Sequence, residues 1–258
     1  MTSQQPTLIH SRDNALLKDL RRLSQDSTAY RKQGRVWLEG DHLCGAALAR
    51  GQCPAIAVFS ESFWPLASAQ YAQAAIKNVV VADALWQDIS GLESPARMGF
   101  VLALPARQGL DAQAPTVVLD RLQDAGNVGS ILRSAAAFGF TQIVALKGTA
   151  ALWSAKVLRA GMGAHFALRL VEGLDVADID DLAVPLLATS SHQGDWLHRA
   201  TLPWPCGWIM GHEGQGVSAA LQQRARQHIR IAQPGGEESL NVGAAAAICL
   251  HASAAARV

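Results

Sequence analysis

The chain has no apolar run of the roughly 20 residues that a membrane span needs. Its most apolar stretch, Val242 to Ala256, is Ala-rich and is interrupted by His251 and Ser253. Residues Met1 to Arg12 are polar and hold no apolar signal core. These absences predict a soluble, cytoplasmic protein. Cysteine is scarce: Cys44, Cys53, Cys206 and Cys249 form no C-x-x-C pair and no Cys/His cluster at zinc-ligand spacing. That argues against a disulfide framework and a zinc site, and predicts four buried or half-buried thiols and no metal. No excess of one charge stands out either, since the net charge is +1. A polyanion binder needs only local basicity, so the distribution matters more than the sum. No repeat at solenoid spacing is present.

What is present is globular. Half of the 258 residues are hydrophobic and 17% are charged, enough for one large or two modest domains. Pro105 to Pro115 (PARQGLDAQAP) carries two prolines, a glycine and no apolar periodicity, and reads as a linker. Before it, helices are expected at Ala15 to Leu23 (capped by Asn14 or Asp13), Asp41 to Arg50 and Leu66 to Lys77. Strands are expected at Val36 to Leu38, Ile56 to Phe59, Val79 to Val81 and Gly99 to Leu104. After it, strands are expected at Thr116 to Leu119, Gln142 to Leu146, Phe166 to Val171, Leu186 to Thr189, Gly207 to Met210 and His228 to Ile231. Runs such as TVVL and IVAL suit strands buried on both faces, as in a parallel sheet. Helices are expected at Gly129 to Phe138, Ser154 to Ala160, Ser218 to Gln227 and Ser239 to Ala255. The fold class is therefore α/β, with a small α/β domain over residues 1–108 and a parallel-sheet α/β domain over 109–258.

Basic residues gather near the N-terminus. From His10 to Arg35 there are seven cations (Arg12, Lys18, Arg21, Arg22, Arg31, Lys32, Arg35) against Asp13, Asp19 and Asp26, a net +4. Any one of these is an ordinary solvated charge. As a group they suit a polyanion, because phosphate contacts are additive and need no fixed pattern.

Three segments combine polar residues with glycine turns. In the first, Leu119 to Arg133 (LDRLQDAGNVGSILR), a strand gives way to a turn and then a helix, with Asn127 as the expected N-cap. Arg133, six residues on, lies about 120° further round the helix and stands among Ile131, Leu132, Ala135, Ala136 and Phe138. An arginine there has to snorkel, pair with an acid or serve a ligand. The second, Trp208 to Ser218 (WIMGHEGQGVS), has three glycines but matches neither the P-loop nor the dinucleotide fingerprint. Glu213 opposes a phosphate there, so a loop presenting backbone to an adenosine fits better. The third, Ile231 to Ala244 (IAQPGGEESLNVGA), turns at Pro-Gly-Gly and has Ser239 as its expected N-cap and Asn241 beside it. Taken singly, each is a capped turn in an α/β fold. His192, His198 and His212 read as surface or loop residues, and Trp196, Trp204 and Trp208 as core or interface.

In order, N-x-G-x-x-x-R, G-x-E-G-x-G and P-x-G-x-x-S-L-N-V resemble the three motifs of the SpoU (TrmH-like) RNA 2′-O-ribose methyltransferases of the SPOUT class. Lys156, Arg159, Met162, Gly163 and Phe166 fall in a stretch that also resembles the family. Ser11 to Asn14, Lys18, Leu23, Arg31-Lys32 and Leu38 to Gly40 look like the ribosomal-protein-like substrate-binding domain of its ribosomal-RNA members. Ala125 stands where the family usually has proline, and Gly243 where it often has serine or alanine.

The resemblance implies a C-terminal trefoil-knot domain, a homodimer with its site at the subunit interface, S-adenosylmethionine as methyl donor and RNA as substrate, with ribosomal (23S) RNA ahead of transfer RNA. By that resemblance Arg133, Asn127, Glu213, Ser239 and Asn241 are the catalytic set. Thr189, Gly211, Ile231 and Leu240 would bind the cofactor, and Arg12, Lys18, Arg31 and Lys32 the RNA. A non-catalytic RNA binder that keeps the fold is the alternative of another class. A nucleotide-dependent α/β enzyme fits worse, because Phe166 stands where a third glycine would follow Gly161 and Gly163.

Overall fold

Apolar runs of four to six residues, set off by glycine and proline turns, build two sheets in the computed structural model, which describes residues 5–67, 69–190, 192–235 and 239–257. The chain divides into two compact units. One runs to Ala106 and also takes in Trp153–Phe166; the other is Arg107–Leu152 with the chain from Ala167 onward.

The first unit carries β1 (Thr7–Ile9), α1 (Ala15–Gln25), α2 (Ala29–Gln33), β2 (Arg35–Glu39), α3 (Asp41–Ala49), β3 (Ile56–Ser60), α4 (Ala69–Ala74), β4 (Lys77–Val81), α5 (Asp83–Ile89) and β5 (Met98–Ala103). Its sheet has the order β1-β4-β3-β5-β2, with β5 antiparallel to both neighbours and the other pairs parallel. Asn14 caps α1 as expected, accepting from the Leu16 amide at 2.9 Å, and Leu17, Leu20 and Leu23 bury one face. The helix expected over Leu66 to Lys77 is shorter. Trp64–Leu66 forms a 3-10 turn, and Lys77 already belongs to β4.

Trp153–Phe166 belongs to this unit and carries a helix, Ala155–Gly161, capped by Ser154. Arg159 of that helix lies 3.8 Å from the Glu39 carboxylate, which is 1% exposed. Glu39 also accepts from the Ser90 hydroxyl and, at 3.2 Å, from the Gly91 amide. A side chain at Gly163, where φ is +84°, would put its Cβ 2.6 Å from Ala46 Cβ, so only glycine fits.

The second unit carries β6 (Thr116–Leu119), α6 (Ala125–Ala137), β7 (Gln142–Leu146), β8 (Arg169–Leu174), β9 (Leu186–Thr189), β10 (Asp195–Trp196), β11 (Gly207–Met210), α8 (Ala219–Gln222), β12 (Gln227–Arg230) and α9 (Val242–Ala255), with the Ala155–Gly161 helix counted as α7. Its sheet is parallel throughout, in the order β10-β12-β9-β11-β6-β7-β8. Every residue of β6, β7 and β11 is buried, as their unbroken apolar runs require. Val118, Val144, Leu146, Leu186, Ala188 and Ile209 pack into one core layer.

Three cysteines are buried, but Cys53 is exposed, against the expectation of four sheltered thiols. Burial raises Cys206 to about 11 and Cys249 to about 12, so neither is a nucleophile at neutral pH. Among the described residues no helix is long and apolar enough to cross a membrane.

Candidate active site

The strand order reverses beside the first two of the three glycine-turn segments. From β6 the chain goes to β7 and β8 on one side, while β9, β11 and β12 fill the other. The order therefore reverses between β6 and β11, whose last residues, Leu119 and Met210, are register partners. Loops diverge at such a switch point, outside the carboxyl ends of the strands, and leave room for a ligand.

The first loop starts at Asp120, 1% exposed. One of its oxygens accepts from the Ser218 amide at 2.7 Å, and the other accepts from Arg121 Nε at 2.9 Å. Arg121 has φ +60°, a strained conformation for a side-chain-bearing residue. Its amide donates to Thr149 Oγ1 at 3.1 Å, and its Nη1 donates to Gln215 of the second loop at 3.2 Å.

Asn127 is not the cap of α6. Asp124 is, its side chain accepting from the Asn127 amide at 2.7 Å, which puts Asn127 in the first helical turn. The third segment is corrected in the same way: Asn241, not Ser239, caps α9, accepting from Gly243 at 2.9 Å and Ala244 at 3.2 Å. The first correction releases the Asn127 side chain from capping, and the second leaves Asn241 Nδ2 available while its Oδ1 caps. Asn241 Nδ2 donates to Asn127 Oδ1 at 2.9 Å, and Asn127 Nδ2 donates to Glu213 at 3.3 Å. Glu213 also accepts from the Gln123 and Asp124 amides at 3.2 and 3.1 Å. One chain of hydrogen bonds thus joins the third, first and second segments. Burial would raise the Glu213 carboxyl, but the backbone amides and Asn127 outweigh it and hold it below its ordinary value. Glu213 is ionised at neutral pH, and the brace is lost only as pH falls through that depressed value.

The second loop is closed on itself. His212 and Gly216 exchange backbone hydrogen bonds of 3.0 and 2.8 Å, and a Cβ on Gly211 would lie 2.1 Å from the Val217 nitrogen. Gly211 is therefore demanded by the loop's own backbone, a reason its sequence did not reveal. His212 Nδ1 accepts from the Gly214 and Gln215 amides at 3.0 and 3.3 Å, which places the ring proton on Nε2. An asparagine carbonyl occupies nearly the place of Nδ1, and a glutamine carbonyl does not. Amide exchange at Gly214 and Gln215 is expected to accelerate in His212→Ala and His212→Gln and to stay near wild type in His212→Asn. Equal rates in all three would remove this role from His212.

Arg133 lies in α6, exposed, with no hydrogen bond or ion pair among the described residues. It neither pairs with an acid nor buries its head. Ser239 and Leu240 are exposed beside Asn241, Ile231 is half-buried just past β12, and Thr189 ends β9 with its hydroxyl donating to the Ile209 carbonyl at 3.0 Å. In the first unit the basic set is partly neutralised: Arg12 pairs with Asp88 at 2.7 Å and Lys18 with Asp13 at 3.0 Å. Arg31 donates to the Tyr30 hydroxyl at 3.1 Å, and Lys32 is exposed in the same last turn of α2.

The described residues suit an adenosine-bearing cofactor better than a nucleotide polyphosphate. Leu240, 39% exposed, and half-buried Ile231 offer aliphatic surface at the sheet's carboxyl end, while ionised Glu213 repels phosphate.

A wholly parallel sheet whose strand order reverses beside polar, glycine-bearing loops defines the class: an α/β protein with a ligand site expected at the carboxyl ends of its strands. More narrowly, the chain belongs to the SpoU rRNA Methylase family, which matches residues 114–251. It is similar to the 23S rRNA (guanosine(2553)-2′-O)-methyltransferase of Bacillus subtilis, at 28% identity over 94% of this chain and 97% of that one. An uncharacterized tRNA/rRNA methyltransferase of Synechocystis is 32% identical, over 94% and 92% of the two chains. A crystal structure of an RNA 2′-O ribose methyltransferase superposes with a TM-score of 0.80 at 28% identity, over 97% of this chain and 99% of that one. The fold is also that of an S-adenosylmethionine-bound rRNA methyltransferase of Sinorhizobium meliloti: TM-score 0.84, 24% identity, 99% and 100% covered.

Proposed function

We propose that the protein methylates a ribose 2′-oxygen of RNA, with S-adenosylmethionine as donor and ribosomal RNA as substrate. The observation that carries this is the hydrogen-bond chain from Asn241 through Asn127 to Glu213, set at the start of the helix that presents an unpaired Arg133. Family membership and the ribosomal-RNA activity named for the Bacillus subtilis relative support it.

When bound, the cofactor supplies a methyl group already activated on a sulfonium. The protein's part is to align the 2′-oxygen with it and to favour negative charge there. Arg133 meets the 2′-oxygen. A guanidinium is too weak an acid to give up its proton and serve as a base in a protein, so Arg133 stabilises the developing alkoxide while the proton leaves to an RNA phosphate or water. Asn127 and Asn241 hold the first and third segments around it, with Ser239 beside the RNA, and Glu213 fixes the second loop. Backbone at Gly211, Ile231 and Leu240, with Thr189, holds the cofactor. The first unit, through Arg12, Lys18, Arg31 and Lys32, engages the RNA.

The working form is a homodimer of trefoil-knotted second domains in the cytoplasm, the first domain spanning residues 1–108 and the second 109–258. α9 contains no charged residue and leaves Ile248 41% exposed, a combination that favours burial against a second copy. Ile248→Asp is expected to shift the protein from dimer to monomer in light scattering; a wild-type monomer would refute the dimer. The function itself is tested by incubating the protein with labelled S-adenosylmethionine and unmodified ribosomal or transfer RNA, then mapping 2′-O-methyl sites. Label in ribosomal RNA supports the reading, label only in transfer RNA changes the substrate, and no label in either with intact RNA binding leaves a non-catalytic binder.

A further inference from the structure

The outer edge of the second sheet, formed by β10 and β12, has a composition that neither the core nor the site explains. β10 is only two residues long, and Trp196 on it is 36% exposed. Trp196 is thus not a core residue of this chain, whereas Trp208 is fully buried. The Arg230 guanidinium lies 3.9 Å from the Trp196 ring centroid, and its Nε donates to the Gly194 carbonyl at 3.0 Å. His198 stacks nearby, at 6.4 Å and 29°. Arg199 and Arg226 are exposed, with no side-chain partner among the described residues. Three arginines therefore face one acid, Asp195, within residues 192–199 and 226–230.

Alongside lies an open cleft of about 320 Å³, lined by Gln193, Gly194, Asp195, Arg226, Gln227 and His228. On two of these lining residues, His228 Nε2 and Gln227 Oε1 lie just beneath the surface, shut off from water and with no hydrogen-bond partner among the described residues. A buried polar atom without a partner costs free energy unless a ligand completes it. Gly194, at φ +103°, would place a Cβ 2.0 Å from the His228 carbonyl, so the two strands are held at a separation only glycine permits. Arg230 is followed directly by Ile231, the first residue of the third segment.

We infer that this edge is a second RNA-binding surface, taking an unpaired nucleotide that flanks the methylated one; the inference rests on the RNA methyltransferase reading. Trp196, ordered by Arg230, offers a stacking face of the kind that every base can use. The arginines suit the adjoining phosphates, and the mixed donors and acceptors of the cleft suit a base edge. A bare anion fits less well, because Asp195 lines the cleft. A subunit contact fits less well too, because the cores of such contacts are depleted of charge.

The test uses the full-length protein and two assays: binding of a fluorescent single-stranded RNA about 15 nucleotides long, and methylation of the ribosomal RNA it modifies. Trp196→Ala is expected to weaken RNA binding on the order of tenfold. KM for RNA should rise to match, with kcat, cofactor affinity and oligomeric state unchanged and with Trp196→Phe restoring most of the loss. Arg226→Ala should reduce the slope of log affinity against log salt by about one. RNA affinity and salt slope within twofold of wild type in both alanine variants would overturn the inference while leaving the activity intact. A change of oligomeric state in Trp196→Ala would make the edge a subunit contact and also overturn it. Trp196-dependent RNA binding without methylation of any RNA would keep this surface and defeat the enzymatic reading instead.

Discussion

Arg133→Ala is expected to bind S-adenosylmethionine within about twofold of wild type and to lose on the order of 10²–10³ in turnover, the usual cost of removing one preorganised donor from a developing oxyanion. The separation of the two effects follows from the structure. Arg133 is exposed and has no partner among the described residues, so its loss disturbs neither packing nor an ion pair. The loops proposed to hold the cofactor are themselves held by other residues, namely Glu213, Asn127 and Asn241. Calorimetry with the cofactor and single-turnover methylation measure the two sides. Loss of cofactor binding with unchanged chemistry on bound cofactor would assign Arg133 elsewhere. Arg133→Lys separates charge from base catalysis. An electrostatic role predicts partial recovery with a pH–rate profile like that of wild type. A base role predicts a new inflection near the ordinary lysine value of about 10.4.

Asp120→Ala is expected to be the most destabilising single change near the site, at about 3 kcal/mol. The carboxylate is 1% exposed and accepts from both the Ser218 amide and Arg121, and bonds to a charged acceptor are each worth about 1.5–3 kcal/mol. The figure sits at the low end for a broken buried ion pair because Arg121 is 36% exposed and can rehydrate. The midpoint of thermal unfolding should fall by roughly 6–12 °C for a chain of this size. Asp120→Asn keeps an acceptor for one of the two donors and should cost about half as much. A fall below about 2 °C in the alanine variant would show that the carboxylate is not what fastens the two loops.

The sheet strands were legible because burial on both faces writes itself as an unbroken run: TVVL, QIVAL, LLAT and GWIM occupy the expected positions without a shift. The caps were not legible. Asp124 and Asn127, like Ser239 and Asn241, are equally good cap residues a few positions apart, and propensity does not choose between them. The choice is made by contacts from residues far along the chain, such as Glu213 on Asp124 and Asn127. The first turn of α6 also lacks apolar periodicity, since Gly126 and Asn127 serve the loops, so the pattern begins only at Val128. Two-residue β10 and the short α2 and α5 carry too few residues for any period to register. Resemblance proposed the candidate site residues, but it did not show the brace among them, which joins positions 86 to 114 apart.

The helix at Ala155–Gly161 lies in the first unit although about 50 residues of the second are synthesised before it. As the chain emerges from the ribosome, the first unit cannot finish folding in its turn. Glu39 waits without Arg159, and the face of α3 at Ala46 waits without Gly163. Vectorial folding, in which an amino-terminal domain closes before the next begins, is therefore unavailable to this protein. The first unit is completed only after part of the second has been made, and a fragment ending at the linker would expose the surface that the later helix covers.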